Sequence, residues 1–248
     1  MKREIIVADS AGFCFGVKRA VGIAEDFAEK GIPAVTLGEI IHNPTVIEEL
    51  RSKGVYPVES LSEVPEGYTL ILRSHGVPLS VIEELEKKCI PYADATCPFV
   101  KRIHGIVSRA EEEGKLPVII GTPTHPEVEG IAGWCRECRV FANREDLENW
   151  ANTLGNPQNS SICIVSQTTS TESLWKSCVD FAKKHNLKYY HDEENNVVSG
   201  ENKHEAPRLC VFGCAVELIG NETCEGCDEC AETADVNTDQ QRLPVFGK

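Results

Sequence analysis

Short apolar runs alternate with polar turns and helical stretches over the first 190 residues. The runs Arg3–Ala8, Ala34–Leu37, Thr69–Leu72, Leu116–Ile120 and Ser161–Val165 are four to six residues long. Runs of that length, bounded by turn residues, suit strands buried in a covered sheet. Between them, apolar residues recur at helical spacing over Val17–Lys30, Thr45–Lys53, Ser80–Lys88, Phe99–Glu113, Arg144–Leu154 and Thr171–His185. This alternation predicts an α/β fold made of small parallel sheets. Ligands of such sheets collect beyond the carboxyl ends of the strands. The polar turns that follow the apolar runs are therefore where a site is expected.

The pattern changes near His191. Residues 191–248 carry 13 acidic and 4 basic residues, against 26 and 21 in the preceding 190. The expected organisation is a first α/β lobe over 1–97, a second over 98–190, and a divergent acidic, cysteine-rich tail over 191–248. Within the tail, Leu209–Ile219 is the one apolar run, and the polar stretch Ala231–Gln241 reads as poorly ordered. The sequence shows no repeat of fixed period, and no pattern shared by the two lobes.

Composition narrows the function classes. With 248 residues and 41% hydrophobic content, the chain can form one large core or two to three small ones. A net charge of −14 argues against nucleic acid, whose phosphates need basic surface, but allows a small phosphorylated ligand in a locally positive pocket. No apolar N-terminal run with a basic flank indicates a signal peptide. No stretch approaches the roughly 18 apolar residues of a membrane span. A cytoplasmic protein is expected, and twelve cysteines there point to metal or redox chemistry before structural disulfides.

The candidate chemistry sits in the turns. Cys14 lies in Gly-Phe-Cys-Phe-Gly and Cys97 in Ala-Thr-Cys-Pro-Phe. Thiolates hold iron or zinc, while a buried structural cysteine is the bland alternative. His42, His75 and His125 occupy three strand-end turns, where imidazoles can donate to an anion or simply be solvated. Glu127 follows His125 closely, as a proton donor or a carboxylate at a helix start. Thr168 and Thr169 suit a helix N-cap or hydroxyl donors to a ligand. Cys135 and Cys138 have Cys-x-x-Cys spacing, suited to zinc or dithiol redox chemistry. Cys224, Cys227 and Cys230 repeat that spacing in the tail. Cys89, at the end of a helical stretch, reads as a packing residue.

Six segments occur in a family order: Gly-Phe-Cys-Phe-Gly-Val-Lys-Arg-Ala, Gly-Glu-Ile-Ile-His-Asn-Pro, Arg-Ser-His-Gly-Val, Asp-Ala-Thr-Cys-Pro-Phe-Val, His-Pro-Glu-Val-Glu-Gly and Ser-Gln-Thr-Thr. Over residues 1 to about 190 the chain resembles the 4-hydroxy-3-methylbut-2-enyl diphosphate reductases of the non-mevalonate isoprenoid pathway. The resemblance implies three α/β lobes around a [4Fe-4S] cluster, with Cys14 and Cys97 as two of its ligands. It implies that His42, His75, His125 and Thr169 contact the substrate diphosphate, and that Glu127 and Thr168 relay a proton to the substrate alcohol. The reaction removes that hydroxyl to give isopentenyl and dimethylallyl diphosphates, with electrons from a ferredoxin or flavodoxin.

The chain departs from the family after the paired threonines. The third cluster cysteine is expected about 30 residues beyond them, where this chain reads Asp192-Glu-Glu-Asn-Asn-Val-Val-Ser-Gly200. The family's Ser-Ser-Asn loop is also absent. The third lobe is thus expected to be truncated or altered, with Cys210 or Cys214 as candidate substitutes. A non-enzymatic metal or thiol protein and an inactive diphosphate-binding remnant are the competing functions.

Overall fold

The computed structural model describes residues 11–154, 161–184 and 188–190. The order is α1 (Phe15–Glu29), β1 (Ala34–Leu37), α2 (Pro44–Ser52), β2 (Tyr56–Val58), β3 (Thr69–Leu72), α3 (Leu79–Lys87), β4 (Tyr92–Asp94), α4 (Pro98–Glu112), β5 (Leu116–Ile120), α5 (Pro126–Ala132), β6 (Arg139–Phe141), α6 (Arg144–Thr153), β7 (Ser161–Ser166), α7 (Glu172–Lys184) and β8 (Lys188–Tyr190). These residues all fall within the unit Met1–Cys214. The run Arg3–Ala8, the tail and its cysteines lie outside the described residues.

The strands form two parallel four-stranded sheets, ordered β2-β1-β3-β4 and β6-β5-β7-β8. Both faces of each sheet are covered, which explains why the inner strands read as continuous apolar runs. In the first sheet, Ala34 and Ile71 face α1 and α2 through Ala20, Ala24, Ile47 and Leu50. Val35, Leu70 and Leu72 face the opposite side with Leu85 of α3. In the second sheet, Ile119, Cys163 and Val165 meet Ile103 and Val107 of α4 and Val128 and Ile131 of α5. Val118, Ile120, Ile162 and Ile164 meet Leu147 of α6 and Cys178 and Phe181 of α7.

The two sheets share one strand order, a likeness the sequence does not display. Each is preceded by a 15-residue helix whose N-cap is a cysteine, Cys14 for α1 and Cys97 for α4. In each, the order reverses between the first and third strands of the sheet, the position where open α/β sheets form a crevice. His42 follows β1 and His75 follows β3; His125 follows β5 and Thr168 follows β7.

The halves meet through the loop after β3 and the end of α5. Gly130 lies so close to the His75–Gly76 backbone that a Cβ there would be 3.3 Å from the Gly76 carbonyl carbon. The Gly133 carbonyl accepts the Leu79 amide at 3.2 Å, and the Trp134 indole donates to the Val77 carbonyl at 2.9 Å.

One expectation is corrected here. Cys89 is exposed and takes a left-handed backbone conformation, with φ of 53°, just past the end of α3. It terminates the helix where glycine is usual, and it does not pack in the core.

Candidate functional site

The four site loops are held open by short polar links. Asn43 accepts the amides of Thr45 and Val46 at 3.1 and 3.3 Å, and Pro44 opens α2, so His42 is fixed one residue before a capped helix start. Ser74 is the junction of the first sheet. Its hydroxyl donates to the Ile40 carbonyl at 2.9 Å, and its own carbonyl accepts the Cys97 amide at 2.9 Å. One serine thus ties the loops that carry His42, His75 and Cys97. Gly76, at φ +77°, has no room for a side chain, because a Cβ would sit 2.6 Å from His104 Cε1.

The three histidines converge. The His42 and His75 ring centroids are 4.5 Å apart, His42 and His125 5.9 Å, and His75 and His125 5.7 Å. His42 Nδ1 also lies 3.5 Å from the Glu39 carboxylate. His75 is 4% exposed, and among the described residues neither of its ring nitrogens has a hydrogen-bond partner. Burial, with help from His42, Arg73 and His125, holds its pKa down to about 3. His125 Nδ1 accepts the Glu127 amide at 3.1 Å. In a neutral imidazole that leaves the proton on Nε2, ready to donate.

Glu127 is 3% exposed and occupies the first turn of α5. Its carboxylate receives the Thr168 amide at 2.6 Å and the Thr168 hydroxyl at 2.8 Å. Burial raises its pKa, and the two Thr168 bonds oppose the rise. Gln167 does for this half what Ser74 does for the other. Its side-chain carbonyl accepts the Thr122 amide at 3.1 Å, and its amide donates to the Thr169 hydroxyl at 2.6 Å. The Thr169 proton is then available for an outside acceptor.

Cys97 accepts backbone hydrogen bonds from Phe99 and Val100 at the start of α4, while burial pushes its thiol up. Cys14 and Glu127 both lie within its electrostatic reach. Gly16, in the first turn of α1, abuts this thiol: a Cβ there would be 2.6 Å from Cys97 Sγ. Arg19 of α1 donates to the Thr96 and Asp94 carbonyls at 3.2 and 3.1 Å, tying the Cys14 helix to the Cys97 loop.

A four-iron cluster with one open iron takes three thiolates. The described residues fit that group in part: two thiols at helix starts, neighbours in space, with a glycine clearing the ground beside one of them. Among the described residues, no group of three His, Cys, Asp or Glu converges on one metal position. Cys210, Cys214, Cys224, Cys227 and Cys230 lie outside the described residues. Among the described residues, no helix is long and apolar enough to cross a membrane.

Sequence reasoning singled out the three histidines, Glu127 and both threonines, and the structure brings the histidines together and Glu127 onto Thr168. It missed Ser74, Gln167, Arg73 and His104. His104 carried a readable signal, being a polar residue on the apolar stripe of Val100, Ile103 and Val107. Ser74 and Gln167 each act through hydrogen bonds that reach a distant loop, which no local pattern encodes.

Comparison with known proteins bears on the family. Residues 5–208 match the LytB protein family. The 4-hydroxy-3-methylbut-2-enyl diphosphate reductase of Caldanaerobacter subterraneus subsp. tengcongensis is 43% identical over 185 residues, 73% of this chain and 62% of its own length. That of Aquifex aeolicus is 43% identical over 178 residues, 71% of this chain and 60% of its own length. A Plasmodium falciparum E-1-hydroxy-2-methyl-but-2-enyl-4-diphosphate reductase structure superposes with a TM-score of 0.69 at 28% identity, covering 77% of this chain and 59% of that one. A second solved structure, described as the terminal enzyme of the non-mevalonate pathway, gives a TM-score of 0.65 at 36% identity, covering 79% and 68%. The chain thus spans about 62% of the curated relatives' length. The family match over residues 5–208 and the identity to these relatives lead to one assignment: the chain belongs to the LytB family.

Proposed function

We propose that this chain is an iron–sulfur reductase that removes the hydroxyl of 4-hydroxy-3-methylbut-2-enyl diphosphate. The lobes we assign are 1–97 and 98–190, with the crevice between them as the site. One observation carries the reading: the two partnerless nitrogens of buried His75, set among His42 and His125. Buried polar groups are normally satisfied. An imidazole left unsatisfied between two others wants an external hydrogen-bonding anion, and a diphosphate has the oxygens to fill it.

In this reading His42, His75, His125 Nε2 and the Thr169 hydroxyl hold the diphosphate and so fix the distance to the reacting carbon. Glu127, whose pKa burial raises, delivers a proton to the departing hydroxyl. Thr168 holds the carboxyl in one orientation. The balanced change breaks the carbon–oxygen bond with two electrons and two protons, releasing water and isopentenyl or dimethylallyl diphosphate. Cys14, Cys97 and a third thiolate would hold a [4Fe-4S] cluster, which would supply the electrons singly together with a Lewis-acidic iron. The electrons come from a ferredoxin or flavodoxin, in a cytoplasmic setting.

A second reading is diphosphate binding without turnover. It is favoured by a contrast among the described residues, where the histidine trio is complete and the thiols at the crevice number two. The deciding experiment is anaerobic reconstitution of the full chain, followed by iron and sulfide analysis and turnover with a chemically reduced viologen. Stoichiometric cluster and product formation support the reductase. Diphosphate binding with neither cluster nor product supports the second reading. Loss of the cluster on Cys210→Ser or Cys214→Ser would identify the third thiolate.

A further inference from the structure

Beyond α5 the chain bends through Trp134, Cys135, Arg136, Glu137 and Cys138 before entering β6. The Cys135 and Cys138 thiols lie close enough to shift each other's ionisation, and both are half-buried. The Cys135 thiol donates to the Ala132 carbonyl at 3.5 Å. The bend between them is pinned where the Arg136 amide donates to the Glu111 carboxylate at 2.6 Å. Arg139 stands beside Cys138 and donates to its carbonyl at 3.0 Å.

The pair is unequal. The Cys135 thiol at its side, aided by Arg139, brings Cys138 down to about 7. Cys138 and burial push Cys135 up. One thiol is prepared to attack and its neighbour to resolve, which is the division of labour in dithiol exchange. Two thiolates fill half of a tetrahedral zinc shell, and among the described residues no third ligand joins them.

We propose that Cys135 and Cys138 form a redox-active dithiol that exchanges with low-molecular-weight disulfides. The Cys138 thiolate attacks one sulfur of the incoming disulfide, its sulfur–sulfur bond breaks, and one thiolate leaves. Cys135 then gives up its proton and attacks the Cys138 sulfur, displacing the second thiolate. Two thiols of the protein are oxidised to one disulfide, and the incoming disulfide is reduced to two thiols. The site adjoins the contact between the halves, because Trp134 precedes Cys135, donates to Val77, and stacks on His104 with centroids 4.9 Å apart. Ring closure is therefore felt at the indole.

The test incubates the full chain, without oxygen, in glutathione buffers of graded disulfide-to-thiol ratio. Free thiols are then trapped by alkylation and mapped by mass spectrometry. The segment carrying both cysteines is expected to lose two hydrogens in a single two-electron transition, with a matching change in Trp134 fluorescence. Cys135→Ser is expected to stop at a glutathione adduct on Cys138, and Cys138→Ser to leave Cys135 largely unmodified. In the wild type, Cys138 should alkylate at least about tenfold faster than Cys135 near pH 7, since the thiolate is the nucleophile. Exposed Cys89 is the internal control, expected to form only an adduct. Equal alkylation of the pair, adducts on Cys135 in preference, or adducts without closure as at Cys89 would each overturn the proposal.

Discussion

The Glu127 carboxylate takes both hydrogens that Thr168 can offer, from its amide at 2.6 Å and its hydroxyl at 2.8 Å. The two residues come from the start of α5 and from the turn after β7, 41 positions apart. Their bond therefore fixes both the direction of a buried acid and the seam between two loops. Glu127→Gln keeps an acceptor for the Thr168 amide but cannot release a proton. We expect turnover to fall roughly 100-fold or more, with iron content and diphosphate affinity little changed. Steady-state rates with a reduced viologen, set beside calorimetric binding, check this. Near-normal turnover would remove Glu127 from the proton path.

The crevice should respond to acid through His75. Burial and its neighbours hold His75 down to about 3, against an ordinary value of 6.5. Protonation then favours the unfolded chain. This stability is fully present above about pH 6.5 and drains away as pH falls toward 3, with a slope near 1.4 kcal/mol per pH unit. His104, held down to about 4 by burial, adds to the same loss. His75→Gln should make the acid limb of the melting-temperature profile shallower. A bound diphosphate reverses the local preference, so binding should take up protons and tighten below about pH 7. Calorimetry in buffers of different ionisation enthalpy measures that uptake.

Two glycines on α1 provide a matched pair. A Cβ at Gly16 would lie 2.6 Å from Cys97 Sγ, whereas a Cβ at Gly22 meets nothing within 4 Å. Gly22→Ala should stabilise the chain by about 0.5–1 kcal/mol through helix propensity. Gly16→Ala should displace the Cys97 thiol and sharply lower iron content after reconstitution. Thermal melts and iron analysis of both variants separate the effects. Equal iron in the two would mean that Gly16 does not guard the thiol.

Cys14→Ser and Cys97→Ser should each cost most of the bound iron. Cys89→Ser should not, since Cys89 is exposed beyond the end of α3. At φ 53° a glycine is less strained, so Cys89→Gly should raise stability by about 1 kcal/mol. Iron loss from all three serine variants alike would show that Cys14 and Cys97 have no special place.

The inner strands were legible because both faces of each sheet are covered. Ala34–Leu37, Thr69–Leu72 and Leu116–Ile120 coincide with β1, β3 and β5. The outer strands β2, β4, β6 and β8 are three residues each and were not anticipated; three residues carry no measurable period. Of α5 only the start was anticipated, at Glu127; its seven residues are too few to show a period. The histidines were legible because each sits in a turn after an apolar run. The junctions Ser74 and Gln167 were not, because their partners Ile40, Cys97 and Thr122 lie 34, 23 and 45 positions away.

The matching build of the two sheets has a consequence for counting. Cys14 and Cys97 hold equivalent places, as do His42 and His125, and His75 and Thr168. Each unit of the repeat thus contributes one thiol, and two units contribute an even set. A three-thiolate shell, as the proposed reading requires, is odd, and its last member has no counterpart in this two-fold kinship. The paired donors are fixed by the shape shared by the two sheets, while the odd one has to be supplied by something outside that pairing.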